Sequence, residues 1–296
     1  MRKRIFCWAT ALCALCVTVS CADPDVGERQ VNVIPAPVEL VRGEGLFSIG
    51  PHTEIGYNDE ALQGAAARLS EEIERVSGMK LAYASCKESN CIIFMELLKP
   101  EEFADLPATY GNSPKGGDPM DERYSLSIER ENIYIKAPAI EGLYRGIATL
   151  TQIVAQNATP AENGKLYLPI LEVKDAPRFA WRGLSLDVSR CFFTVEEVKQ
   201  VIDLLALYKM NVLHMHLSDN QGWRIEIKAY PKLAEVGGQI PNEGKPGGYY
   251  TQEQFKELVR YAAERQVTII PEVDLPGHTK AVFAAYPELT NALKLK

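Results

Sequence analysis

The sequence predicts an α/β chain in which a small α+β domain, residues 31–176, precedes a stretch of alternating strands and helices, residues 181–296. Three observations lead there. Up to Ala176, short strand-like runs are interleaved with only two stretches of helical periodicity. Asp175-Ala176-Pro177-Arg178 then interrupts the pattern. Beyond it, Thr194 with Glu197 and Thr251 with Gln254 each form a capping box that opens an apolar-striped helix between strand-like runs. Strand, helix, strand at this spacing gives right-handed βαβ units and hence a parallel sheet.

The first 20 residues stand apart from the fold. Arg2, Lys3 and Arg4 precede an apolar run from Ile5 to Val19, too short for the roughly 17 or more residues of a spanning helix. This is the pattern of a secretory signal. Ser20 before Cys21 fits bacterial lipoprotein processing, with Cys21 acylated and retained as the mature N-terminus; plain cleavage is the alternative. The chain is therefore expected in the periplasm or anchored to the outer membrane, touching lipid only through Cys21. Export also favours a disulfide between Cys86 and Cys91, the two ends of a short polar loop, over two free thiols.

In the first domain the strand candidates are Val31–Ile34, Leu46–Ile49, Cys91–Met95, Tyr124–Ile128 and Ile133–Lys136, with helices over Ala61–Val76 and Ile140–Val154. Residues 98–121, rich in Pro and Gly, read as a long loop. In the second part the strands are Arg182–Asp187, Asn211–Ser218 and Val267–Val273, and their polar ends fall at Asp187, Ser218-Asp219 and Glu272-Asp274. Parallel α/β folds place chemistry at such C-terminal strand ends. A composition of 46% apolar and 24% charged residues is that of a soluble globular protein, and a net charge of −7 argues against a nucleic-acid partner.

Three of the four histidines lie between positions 214 and 278. His214 and His216 share one face of a strand, where they could bind a metal; buried histidines bonded to carboxylates are the alternative, favoured because no further ligand set is evident. No metal or other cofactor is therefore expected. Asp219-Asn220-Gln221-Gly222-Trp223-Arg224 combines a carboxylate, amides and an aromatic ring, a mixture that suits a sugar, with Trp223 as platform. Glu272 and Asp274 flank a Pro-Gly turn that leads to His278. Two apart on a strand, they can raise one another's pKa as acid/base chemistry requires, or serve as rim ion pairs.

Three runs, Trp181 to Arg190, Lys209 to Arg224 and Glu272 to His278, closely resemble successive motifs of glycoside hydrolase family 20, the exo-acting β-N-acetylhexosaminidases. Asn32 to Pro37 and Gly142 to Gln152 resemble the small domain that precedes the barrel in that family. The resemblance implies that residues 181–296 form the first three βα units of a (β/α)8 barrel. It also implies removal of terminal N-acetylhexosamine from β-linked glycans, in which the substrate's own acetamido oxygen attacks C1. It assigns Arg182 to the sugar hydroxyls and Asp219 and His278 to a hydrogen-bond network that supports the catalytic acid. Asp187, Trp223, Glu272 and Asp274 complete the expected substrate-binding set.

The chain departs from the family pattern at Cys191, Met215 and Asn220, and residues 1–296 contain no His-x-Gly-Gly-Asp-Glu run, the source of the family's catalytic Asp-Glu pair. Residues 181–296 number 116, against the roughly 250 of a whole barrel. The expectation is thus an N-terminal portion truncated within the barrel and inactive by itself. Two other readings remain at this stage: a non-catalytic carbohydrate-binding lipoprotein, and a metal-dependent barrel hydrolase using His214, His216 and Asp274 or His278. Processing at Cys21 predicts a mature N-terminus carrying acyl mass on that residue; mass spectrometry that finds an unmodified N-terminus at Ala22 or beyond excludes the lipid while leaving export intact.

Overall fold

The computed structural model describes residues 29–86, 92–160, 163–239, 244 and 246–291. The first domain is a seven-stranded mixed sheet with two helices on one face. Its elements are β1 (Glu39–Ile49), β2 (Glu54–Tyr57), α1 (Gln63–Ser77), β3 (Ala82–Ser85), β4 (Ile93–Leu97), β5 (Tyr124–Ile128), β6 (Ile133–Ala137), α2 (Ile140–Gln156) and β7 (Leu166–Asp175). The strand order is β1-β7-β5-β6-β4-β2-β3. The β1-β7-β5-β6 half pairs antiparallel and the β6-β4-β2-β3 half pairs parallel. Alternation is strict in the middle: Tyr124, Leu126 and Ile128 of β5 and Ile133, Ile135 and Ala137 of β6 are buried, and their neighbours are only partly so. Those buried side chains meet Leu143, Ile147, Leu150 and Ile153 of α2. The helix sits close because Gly142 and Gly146 face the sheet. A Cβ at Gly142 would lie 2.2 Å from the Arg123 carbonyl oxygen, and one at Gly146 2.4 Å from an Ile135 methyl.

The expected strand Val31–Ile34 is not one. Two glutamines one turn apart on α2 take the role of its neighbour instead. The Gln152 side chain accepts from Ile34 N and donates to Ile34 O, both at 2.8 Å, and Gln156 does the same for Asn32 at the same distance. The segment gains strand-like pairing with no strand beside it. β2, β3 and β7 were not expected from the sequence, whereas residues 98–121 do form a long connection whose only helix is one 3-10 turn, Pro100–Phe103. Cys86 is disulfide-bonded; Cys91, its expected partner, lies outside the described residues, as do the signal segment and Cys21.

The second part is three parallel strands with helices outside them. β8 (Gly183–Asp187) is followed by α3 (Val195–Leu207) and β9 (Val212–His216). A short ribbon, β10 (Ser218–Asp219) with β11 (Gly222–Trp223), comes next, then α4 (Lys232–Glu235), α5 (Gln252–Ala263), β12 (Thr268–Glu272), α6 (Lys280–Ala285) and α7 (Glu288–Asn291). The order β12-β9-β8 is parallel throughout. Both capping boxes form as the sequence indicates, Thr194 with Glu197 and Thr251 with Gln254. Val198, Ile202 and Leu205 of α3 and Leu258 and Ala262 of α5 pack with Leu213 and Met215 of β9. No described helix is long and apolar enough to cross a membrane.

A buried polar seam joins the two parts. Glu122, just before β5, accepts from Arg145 of α2 at 3.2 Å, from Asn211 at 3.3 Å and from Arg182 in a short contact. Arg182 also donates to the Lys209 carbonyl, and Arg145 to the Gln266 carbonyl. Lys209 and Gln266 are equivalent: each has a positive φ, 60° and 54°, in the turn that leads from a helix into the next barrel strand. The ammonium of Lys209 bonds Asp175 and the Tyr124 hydroxyl at 2.9 and 2.8 Å. Replacing Glu122 by Gln leaves two guanidinium groups without their counter-charge, so the variant is expected to lose about 3–5 kcal/mol of stability. Urea unfolding of the two proteins measures this, and an unchanged midpoint would remove the seam from the account.

Candidate active site

Strand register assembles the site. In the parallel sheet, Asp187 of β8 lies opposite His216 of β9, and His216 lies opposite Glu272 of β12. Three chemistry-bearing residues thus share one rung at the C-terminal ends of three neighbouring strands, and side chains on one rung point to one face. One pleat earlier, His214 occupies the same face and contacts the other oxygen of Glu272.

The turn after β9 brings in Asp219. The β10–β11 pairing sets Asp219 opposite Gly222, where a Cβ would fall 2.2 Å from the Arg224 guanidinium carbon, so a larger residue there would push the buried Arg224 out of place. Ser189 donates to the Gly222 carbonyl at 2.7 Å and Asp274 N donates to the Ser218 hydroxyl at 2.9 Å, which ties all three strand-end loops together. Asp219 is buried. Its Oδ1 accepts from Asn220 N at 2.5 Å and faces Nδ1 of His278 at 3.1 Å. Its Oδ2 accepts from Arg190 at 2.6 Å and faces Nε2 of His216 at 3.1 Å. Arg190, half exposed, also bonds Asp187 at 2.5 Å. His278 is 54% exposed at its side chain and takes a φ of 53°. That left-handed backbone costs on the order of 1 kcal/mol and is kept where surrounding structure demands it.

The charges follow from these contacts. Burial works against ionisation of Asp219, yet the Asn220 amide, His216, Arg190 and His278 outweigh it and hold the carboxyl below its usual value. Burial likewise opposes charge on His216, but hydrogen bonds to Glu272 and Asp219 raise its pKa above the ordinary imidazole value. The sequence leaves two readings open for Glu272 and Asp274, mutual raising of their pKa values or rim ion pairs, and Glu272 follows the second: burial would raise it, and bonds to His216 and Asp274 with the charges of His216 and His214 bring it down.

The structure gathers Asp187, Asp219, Glu272, Asp274 and His278 at one edge and corrects two other expectations. Arg182 precedes β8, at the N-terminal end of the strand and a full strand length from Asp187. Its guanidinium is spent on Glu122, Lys209 and Phe179 in the domain seam. The guanidinium at the site is that of Arg190, three residues past Asp187, where strand-end logic applied to the sequence would have found it. Trp223 is not an exposed platform: it is 5% exposed, packs on Leu233, Ala281 and Ala285, and its indole donates to the Ile225 carbonyl at 2.7 Å. Of the positions that depart from the family pattern, Met215 faces the outer helices and Asn220 accepts from Lys280 N at 3.2 Å. His216, Glu272 and Asp274 bring donor atoms within 4.8 Å of one another, a spacing that could hold an ion. Both ring nitrogens of His216 already face carboxylates, however, so the arrangement fits a hydrogen-bonded cluster better than a metal centre.

A small α+β domain stands ahead of parallel βα units whose carboxylate and imidazole cluster lies at the strand C-termini, the end at which parallel α/β folds place their chemistry. The model of glycosyl hydrolase family 20, domain 2, matches residues 30–176, and that of the family's catalytic domain matches residues 179–296. The chain belongs to glycosyl hydrolase family 20. It is 34% identical over 272 residues to a β-hexosaminidase of Porphyromonas gingivalis, covering 88% of this chain and 32% of that protein. To a β-hexosaminidase of Vibrio furnissii it is 32% identical, covering 90% of this chain and 41% of that one. Among solved structures, the N-acetyl-β-hexosaminidase of Streptomyces plicatus superposes with a TM-score of 0.72 at 37% identity, over 87% of this chain and 48% of that one. The chain thus spans about a third to a half of the length of these relatives.

The pKa directions predict how stability depends on pH. His216 is raised in the fold, so its contribution is full below the unfolded value near 6.5 and is lost as pH climbs through the folded value. Asp219 and Glu272 are lowered, so theirs is full above about pH 4.5 and is lost as pH falls through their folded values. Urea midpoints between pH 4 and 9 should be highest between about pH 4.5 and 6.5, with a decline on the alkaline side that is smaller in His216→Gln; equal alkaline declines in both proteins would contradict the His216 part.

Proposed function

We propose that this chain is part of an exported β-N-acetylhexosaminidase that removes terminal N-acetylhexosamine from β-linked glycans by substrate-assisted, retaining hydrolysis. Membership of the family supports the reaction class, and the relatives' names support the substrate class. The observation that carries the reading furthest is the contact of Asp219 with His278 beside Arg190, at the strand edge where barrel enzymes hold their chemistry. In this scheme the 2-acetamido oxygen of the substrate attacks C1 while a protein acid protonates the departing oxygen. Asp219 keeps the His278 imidazole oriented through Nδ1, and the other nitrogen of this half-exposed ring is left to support that acid. Arg190, fixed between Asp187 and Asp219, presents a guanidinium fork to sugar hydroxyls, the role the sequence resemblance had given Arg182. In the family the acid and its neighbouring carboxylate are an Asp-Glu pair, a motif not found among residues 1–296. Export rests on the basic and apolar N-terminal segment, with acylated Cys21 as the anchor.

The two arginines separate this proposal from a purely structural reading of the cluster. In an enzyme form that carries the Asp-Glu pair, Arg190→Ala is expected to lower kcat/KM for an aryl N-acetyl-β-glucosaminide about a hundredfold, ~3 kcal/mol of transition-state stabilisation, with little change in the unfolding midpoint. Arg182→Ala should do the reverse, lowering the midpoint first. Unchanged kcat/KM in the Arg190 variant would remove that residue from the sugar site.

A further inference from the structure

His216 sits at the centre of the cluster, with each of its ring nitrogens facing a carboxylate. It is buried, on the middle strand, with Glu272 beside it on β12 and Asp187 beside it on β8. Its Nδ1 lies 2.9 Å from Glu272 Oε1 and its Nε2 lies 3.1 Å from Asp219 Oδ2. A neutral imidazole has one N–H and one lone pair, so it satisfies only one of those contacts and turns a lone pair on the other carboxylate. Only the doubly protonated ring donates to both. The rest of the surroundings agree. Glu272 is contacted by His214 through its other oxygen and by Asp274, and Arg190 approaches Asp219 on the same oxygen as His216. Between them, His216 and Arg190 occupy Oδ2 of Asp219, and the Asn220 amide fixes the turn of the carboxylate through Oδ1. The one remaining approach to Oδ1 is the one His278 uses.

We propose that His216 is a positioning residue: an imidazolium strut between Glu272 and Asp219 that holds the Asp219 carboxylate so that Oδ1 receives Nδ1–H of His278 and Nε2 is the bare nitrogen of that tautomer. A histidine ring takes the tautomer set by the hydrogen bond its other nitrogen makes, so an ionised carboxylate, which only accepts, selects the Nδ1–H form of His278 as long as it is held within reach of Nδ1. The importance of that form for catalysis rests on the hexosaminidase reading; the hydrogen-bond assignment itself does not.

Ring ¹⁵N spectra of the purified ¹⁵N-labelled protein test the strut. Its four histidines, His52, His214, His216 and His278, are assigned by single substitutions. The expected result is that both His216 ring nitrogens are protonated at neutral pH, with a midpoint above the usual ~6.5, while His278, once neutral, carries its proton on Nδ1. In His216→Gln, which keeps a polar side chain but cannot hold charge between the two carboxylates, His278 should lose the Nδ1–H form in favour of Nε2–H. A neutral His216 at pH 7 in the unsubstituted protein overturns the proposal. So does a folded His216→Gln protein whose His278 keeps the same tautomer. Should the variant fail to fold, the protonation of His216 in the unsubstituted protein decides alone. Titration with N-acetylglucosamine of an enzyme form that carries the Asp-Glu pair examines the sugar reading separately: intact ring protonation without any response to the sugar there supports the strut and counts against the hexosaminidase assignment.

Discussion

A buried carboxylate organises this molecule. The Glu122 side chain is 3% exposed and is surrounded by Arg145, Arg182 and Asn211, which belong to one helix of the first domain and to the approaches of two barrel strands. Taking such charges out of water costs several kcal/mol for each ion, and the cost is offset only where geometry is good and every donor finds an acceptor. Here most do: the guanidinium groups that meet on Glu122 continue to the carbonyls of Phe179, Lys209 and Gln266. Burial lowers the pKa of Lys209 and of Arg182, while Asp175 and Glu122 act in the opposite direction and favour their charged forms. An apolar seam would tolerate sliding. A seam of desolvated, directional contacts does not, so the two parts meet in one orientation and the strand starts are held at fixed height.

Fixed strand starts matter at the other end of the sheet. Asp187, His216 and Glu272 work as a group only because they fall on one rung. A slip of one residue in β9 would turn His216 to the outer face and bring Met215 inward, since side chains alternate with period two. The site is therefore specified by register as much as by residue type. The loop contacts from Ser189 to Gly222 and from Asp274 to Ser218 then transfer that register into the turn that carries Asp219.

Much of this was legible in the sequence. β5, β6, α2, α3 and α5 follow from alternation, helical periodicity and two capping boxes, because in each the local preference and the tertiary environment agree. The elements that escaped lack such agreement. β7 carries Pro169, β2 and β3 are four residues long, and the β10–β11 ribbon has two residues on each side. The stretch around Val33 has a strand's composition but finds glutamine side chains for partners, which no local pattern encodes. At the site, the carboxylates and His278 could be placed from strand ends alone. Arg182 and Arg190 are the same residue type eight positions apart, and only the position of Asp187 at the strand end tells them apart. Trp223 shows the limit of a composition argument: an indole in a polar loop suits a sugar, and it equally suits the small core under α6.

The two left-handed turns at Lys209 and Gln266 have a consequence for how the chain comes to be folded. A ribosome delivers the N-terminal domain first. Glu122 and Arg145 are therefore in place before either barrel turn has been made, and each new βα unit emerges beside a surface that already displays the groups its turn will bond. The first domain is then a jig against which successive units are set to height as they are synthesised, and parallel strands, which otherwise depend on slow long-range pairing, inherit their alignment from a neighbour that is already finished.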